Sequence, residues 1–168
     1  MRAAHIRENL ESVVEYGSEI DARVRHDLGP DGVARIENAK RVAWLPAELD
    51  VRLTESVYAH AGSEQLDHWC RRALLATAET PILSGFLKAG LRLLGTTPGG
   101  VLKLAQRGYS QIYRDAGSLE VEAGVESAIV RGRELPELFT SNPIYLRGIG
   151  AALSAIPVFV GHDGAYEV

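Results

Sequence analysis

From Arg2 to Asp115 the apolar residues recur at three- and four-residue spacing, the period of helices with one buried face. Ile6, Leu10, Val13 and Val14 share such a face over residues 2–16, and Gly17 ends the run. Ser18 can cap a second helix reaching about Leu28, and Gly29-Pro30-Asp31-Gly32 is a turn signal before a short helix carrying Val33 and Ile36. Pro46, placed for a first helical turn, leads into Leu49, Leu53, Val57 and Tyr58, and this helix should stop at Gly62. Ser63 opens the next, with Leu66, Trp69, Cys70, Ala73 and Leu74. Thr80-Pro81 opens another that holds Phe86, Leu93 and Leu94 and ends at Gly95. Thr97-Pro98-Gly99-Gly100 starts the last of the series, with Leu102, Ala105, Tyr109, Ile112 and Tyr113.

After Gly117 the period changes. Leu119 and Val121 alternate with Glu120 and Glu122, as in a half-buried strand; Ala123-Gly124 turns, and Val125 to Arg131 reads as its partner. Asn142-Pro143 is a cap followed by a first-turn proline, so Ile144 to Ala155 reads as a helix. Pro157 to Val160 and Ala165 to Val168 then read as strands joined by Asp163-Gly164. Helices followed by segregated strands define an α+β fold: an N-terminal helical bundle, then a small antiparallel sheet in the order strand-strand-helix-strand-strand. The expected organisation is one domain over residues 1–168, with a helical arm at 1–40, a helical core at 43–115 and a small α+β unit at 117–168. Whether the arm packs on the core is left open by its pattern.

Composition removes several classes. A net charge of -4 argues against a dedicated nucleic-acid binder, which would carry a basic excess. The single cysteine, Cys70, excludes an internal disulfide and any multi-cysteine metal site, and fits a reducing cytoplasm. The N-terminus lacks the apolar stretch of a signal peptide. No run approaches the ~18 uninterrupted apolar residues of a membrane span. The expectation is a cytoplasmic protein without a membrane or nucleic-acid partner.

No catalytic motif and no metal-ligand spacing stands out. Cys70 and His68, two residues apart on a helix, do not share a face, and Cys70 belongs to the apolar stripe. Ser56 and His60 could meet along one helix, but no carboxylate stands at a spacing that would orient the imidazole. Glu120 and Glu122 share a strand face, as two solvated positions do, and acid/base work by them would need a cleft that the sequence does not place. Thr97 to Gly100, followed by Lys103 and Arg107, could cradle an anion, although a plain capped helix start explains it as well. His60 or His68 could each give one axial imidazole to a haem. Trp44, Tyr58, Trp69, Phe86, Tyr109 and Tyr113 all fall in the helical core region; if the helices leave a cavity, they are the candidate pocket lining.

The segment Ala43 to Leu53, with its Trp44-Leu45-Pro46, together with Phe86 to Gly95, Val101 to Tyr113 and Gly117 to Val121, resembles an uncharacterised bacterial family abundant in myxobacteria. That family is similar in layout to haem–nitric-oxide-binding and 4-vinyl-reductase domains, a helical bundle followed by a small antiparallel α+β unit. The resemblance spans most of residues 33–168 and implies a sensing or scaffold domain. Two departures accompany it. The propionate-gripping tyrosine–serine–arginine pattern of haem sensors meets Tyr109-Ser110-Gln111 here, and the paired cysteines that often end vinyl-reductase-type domains are replaced by Val160 to Gly164.

The leading expectation is therefore a non-enzymatic binding or sensor domain holding a small hydrophobic ligand or a protein partner between helices and sheet. The alternatives are a haem-based gas sensor using His60 or His68, and a purely structural interaction module. The terminal strand ending at Val168 offers an edge that a second copy could pair with.

Overall fold

The joints between the helices follow from backbone conformations written into the sequence. The computed structural model of the chain describes residues 1–79, 84–85, 89–90, 97–124 and 127–168. Helix α1 (Ala3–Ser12) runs into a 3₁₀ turn (Val13–Tyr16), and α2 (Ser18–Asn38) is broken at Gly29 with Pro30 starting its second half. Helix α3 (Glu48–Glu79) is broken at Gly62, whose φ of 84° no L side chain adopts without strain. Helix α4 (Pro98–Ile112) starts where Thr97 Oγ1 accepts the Gly100 amide at 3.2 Å and Pro98 fills the first turn. The Thr97 to Gly100 segment is thus a capped helix start. The expected helix opened by Thr80-Pro81 lies mostly outside the described residues, Phe86 with it; Ser84, Gly85, Ala89 and Gly90 are helical.

Strands β1 (Ser118–Ala123) and β2 (Ala128–Arg133) form an antiparallel hairpin, with Glu120 opposite Arg131 and Val121 opposite Val130. Cross-strand ion pairs join Glu122 to Arg131 (2.5 Å) and Glu120 to Arg133 (2.8 Å) on its exposed face. Among the described hairpin residues Leu119 alone is buried, and Gln106 of α4 donates to its carbonyl at 2.9 Å. A short helix α5 (Glu137–Thr140) leads to α6 (Pro143–Ser154), capped by Asn142, whose Oδ1 accepts the Tyr145 amide at 2.9 Å. The fold is α+β with a helical N-terminal region and one small antiparallel sheet.

The last expected hairpin does not form. Ile156–Val160 is a 3₁₀ helix that continues α6, closed by Gly161 in the left-handed conformation. Pro157 accounts for this: its fixed φ suits a helical turn, while its missing N–H would leave a gap in a ladder. An apolar run without alternation, Ile156 to Val160, carries no period to decide between the two. The tail beyond it is held by side chains instead. Arg71 donates to the Gly164 carbonyl at 2.9 Å, and the Tyr166 hydroxyl donates to Asp67 at 2.7 Å. Val168 is therefore not the edge of a strand pair.

Residues 1–40 pack on the bundle. Ile6, Leu10, Val13, Val24, Leu28 and Ile36 are fully buried against Leu53, Val57, Leu66 and Trp69 of α3. A second cluster, Val51, Ala116, Phe139 and Tyr145, sits under the base of the hairpin. Helix α6 lies along α3, tied by Arg147 to Asp67 (2.6 and 2.8 Å) and by Asn142 to Glu55 (2.7 Å). Together with its 3₁₀ extension it spans Pro143–Val160, 18 residues of mean hydropathy 1.5, long and apolar enough by composition to cross a membrane. The strict count of uninterrupted apolar residues passes over it because Arg147 and Ser154 break the run.

Gly117 (φ 73°) turns the chain from α4 into β1, where an added Cβ would lie 2.2 Å from the Arg133 carbonyl oxygen and 2.6 Å from that of Glu134. Both contacts are backbone, so nothing can swing aside. Gly117→Ala is expected to cost about 3 kcal/mol, the left-handed penalty plus the steric one. Urea unfolding would measure it; a loss under about 0.5 kcal/mol would mean that the hairpin base yields without cost.

Candidate functional site

Where α1, α3, α4 and α6 meet, they leave a cavity of about 170 Å³. Its apolar wall comes from Val101, Leu104 and Tyr109 of α4, Leu74 of α3, Ile149 and Leu153 of α6, Leu119 of β1, and Phe159 of the 3₁₀ helix. The opposite wall is polar: His5 and Asn9 of α1, Asp50 and Thr77 of α3, with Tyr113 and Tyr145. These side chains form one network. His5 Nδ1 lies 3.0 Å from Thr77 Oγ1, and Asn9 Nδ2 lies 3.2 Å from His5 Nε2. If Asn9 donates to Nε2, the imidazole hydrogen sits on Nδ1 and is given to Thr77. The Tyr145 hydroxyl donates to Asp50 Oδ2 at 2.6 Å, with the Tyr113 hydroxyl 2.9 Å from Tyr145's and 3.5 Å from the same carboxylate oxygen.

Asp50 is only 3% exposed. Burial pushes its carboxyl up from its ordinary 3.8 to about 6, against the pull of the Tyr145 hydrogen bond. Its place in the first turn of α3 helps it keep a charge there, since a helix N-terminus favours an anion. His5 moves the other way: desolvation lowers its imidazole to about 4, so it stays neutral near pH 7. Both tyrosines are pushed well above their usual range by burial and then by the Asp50 charge, so their hydroxyls stay protonated. Burial raises Tyr109 to about 12; its hydroxyl donates to the Ala116 carbonyl at 2.8 Å. Asn9 Oδ1 is buried without a hydrogen-bond partner, the one such side-chain atom among the described residues.

Of the aromatic residues expected to line a pocket, Trp69, Tyr109 and Tyr113 do so. Trp44 does not: the Arg2 guanidinium lies 4.0 Å over its ring, and the two residues bridge at the start of the chain. Tyr58 faces away from the cavity at 37% exposed, because its position on α3 turns it off the buried stripe. Phe86 is outside the described residues. The cavity receives neither His60 nor His68. His60 Nε2 lies 2.8 Å from Asp27 Oδ2, and exposed His68 meets the Tyr16 hydroxyl at 2.9 Å. Asp27 supplies the carboxylate that local spacing lacked beside Ser56 and His60. Both bond the same Asp27 oxygen, Ser56 at 2.6 Å, so the serine proton is committed to the carboxylate and no nucleophile–base pair results.

Cys70 lines the cavity as a buried thiol, pushed far above its usual range by desolvation. The described residues contain no cluster of three or more histidine, cysteine or carboxylate groups suited to a metal. His5, Asn9, Asp50 and Tyr145 carry the polar wall and have no local signature. An acid in a helix first turn is ordinarily a solvated cap partner, and a tyrosine after Asn-Pro reads as core.

No family model, curated protein or solved structure matches the chain.

Proposed function

We propose that the protein is a non-enzymatic binding or sensor domain that takes a small, mostly apolar molecule into the cavity bounded by α1, α3, α4, α6 and β1. The supporting observation is the cavity itself, about 170 Å³ with an apolar wall facing a short polar one. A cavity of about 150 Å³ lined by aliphatic and aromatic side chains accommodates benzene, so the expected ligand is one ring or a short branched chain. The size disfavours haem, and so do His60 and His68, which face Asp27 and Tyr16. A purely structural module would have no reason to keep a buried carboxylate beside an unfilled space. A cytoplasmic location, where a lone thiol stays reduced, goes with this reading.

The test uses Trp69, which lines the cavity, as reporter in a Trp44→Phe background. Titration with toluene is expected to change its emission saturably and to raise the melting temperature, by the equivalent of about 2.7 kcal/mol at a hundredfold excess over Kd. Flat emission with toluene, or a Soret band in the purified protein that is lost on His60→Ala or His68→Ala, would overturn the reading.

A further inference from the structure

The polar wall specifies more than polarity: among its described nitrogen and oxygen groups the unspent capacity is all acceptor. Both tyrosine hydroxyls aim at Asp50 Oδ2 and the Asn9 amide N–H also acts on the carboxylate, yet a carboxylate has about four acceptor positions, so one remains for a further donor. Asn9 Oδ1 is buried with nothing to accept from. The donors are meanwhile engaged. The Asn9 amide nitrogen meets His5, the other imidazole nitrogen meets Thr77, and the Tyr145 hydroxyl is given to Asp50. Among the described residues of this wall, a ligand whose head is itself an acceptor, such as a ketone or a carboxylate, would find no free N–H or O–H donor, and an anion would also meet the Asp50 charge.

Charge points the same way. Among the described residues no cationic nitrogen lies within 4.0 Å of the Asp50 carboxylate. The Met1 ammonium, bonded to the Leu45 carbonyl at 2.5 Å, acts on it only from further off. A buried charge without a partner is costly and is ordinarily paired. An ammonium group has three donors and no acceptor, so it can use the Asp50 carboxylate and Asn9 Oδ1 together while neutralising the charge.

We propose that the ligand is a small apolar primary amine, its ammonium group held by the Asp50 carboxylate and the Asn9 amide oxygen and its hydrocarbon body in the apolar part of the cavity. This rests on the cavity reading above. An alcohol of the same body offers one donor and no charge, and a bare hydrocarbon leaves both acceptors unpaired.

The experiment compares toluene, benzyl alcohol, benzylamine and benzoate by calorimetry at pH 7.5, on the wild-type chain and on Asn9→Leu and Asp50→Asn. Benzylamine is expected to bind roughly tenfold or more tighter than toluene and benzyl alcohol, a charge-assisted pair being about twice a neutral one in strength, with benzoate not binding. Asn9→Leu should weaken benzylamine about tenfold relative to toluene measured on the same variant, and Asp50→Asn should abolish the preference for the amine. Equal binding of the uncharged ligands and the amine, or an amine preference surviving both substitutions, would overturn the amine assignment and leave the cavity reading standing. Binding of none of the ligands would overturn both.

Discussion

Asp50→Asn is expected to stabilise the folded protein at pH 7.5 by about 2 kcal/mol, although it removes a central member of the polar wall. The carboxyl is held at about 6 instead of its ordinary 3.8, so the ionised form is disfavoured in the fold by about 3 kcal/mol. An amide oxygen can still accept from Tyr145 and Tyr113, and part of the gain is lost in fitting its NH₂. The same substitution changes the pH profile. As pH falls below about 6 the folded state takes up the Asp50 proton while the unfolded chain waits until 3.8, so this group makes the fold more stable towards acid.

His5 has the opposite sign: the unfolded chain protonates below 6.5, the folded one only near 4, so it makes the fold less stable towards acid. In the wild-type chain the two nearly cancel between about pH 4 and about 6. Asp50→Asn uncovers the His5 contribution, about 3 kcal/mol lost from pH 6.5 to 4. His5→Gln should leave a profile that falls as pH rises. Urea unfolding at several pH values, read as variant minus wild type, removes contributions common to both, such as that of Asp27, whose carboxyl is held low by Ser56 and His60. Parallel profiles for all three proteins would show that neither group is held as described. A residue kept at a cost to stability is what a binding site asks for.

Phe139→Ala carries the largest expected loss, about 3–5 kcal/mol, because the side chain is fully buried and its removal leaves a cavity. Its ring meets Tyr145 at a centroid distance of 4.7 Å and Tyr113 edge-on at 5.8 Å. These are the two tyrosines whose hydroxyls reach Asp50. The substitution should therefore unfold the protein at lower urea and also weaken benzylamine binding. Ile129→Ala, at a 53% exposed position of β2, should stay within about 0.5 kcal/mol of wild type. A Phe139→Ala loss under about 1 kcal/mol would mean that this cluster does not anchor the hairpin to α6.

The breaks at Gly17, Gly29 and Gly62, the capped starts at Thr97-Pro98 and Asn142-Pro143, and the alternation of Leu119 and Val121 were all readable from the chain, and with them the α+β order of elements. Each is a local matter, a positive φ, a side chain reaching an amide three residues on, or a period within one element. The cavity was not readable in that way. Aromatic type alone selected Trp69, Tyr109 and Tyr113 together with Trp44 and Tyr58, which the fold turns elsewhere. The polar wall depends on pairs far apart in sequence, Tyr145 with Asp50 across 95 positions and His5 with Thr77 across 72. The final segment is intermediate, since Ile156 to Val160 has apolar content without a period and Pro157 admits the helical turn. Local hydrogen bonding and torsional preference act within a few residues and so determine where helices begin and end. Which faces meet, and which polar groups are thereby sealed from water, is decided only when distant segments pack and exclude solvent together.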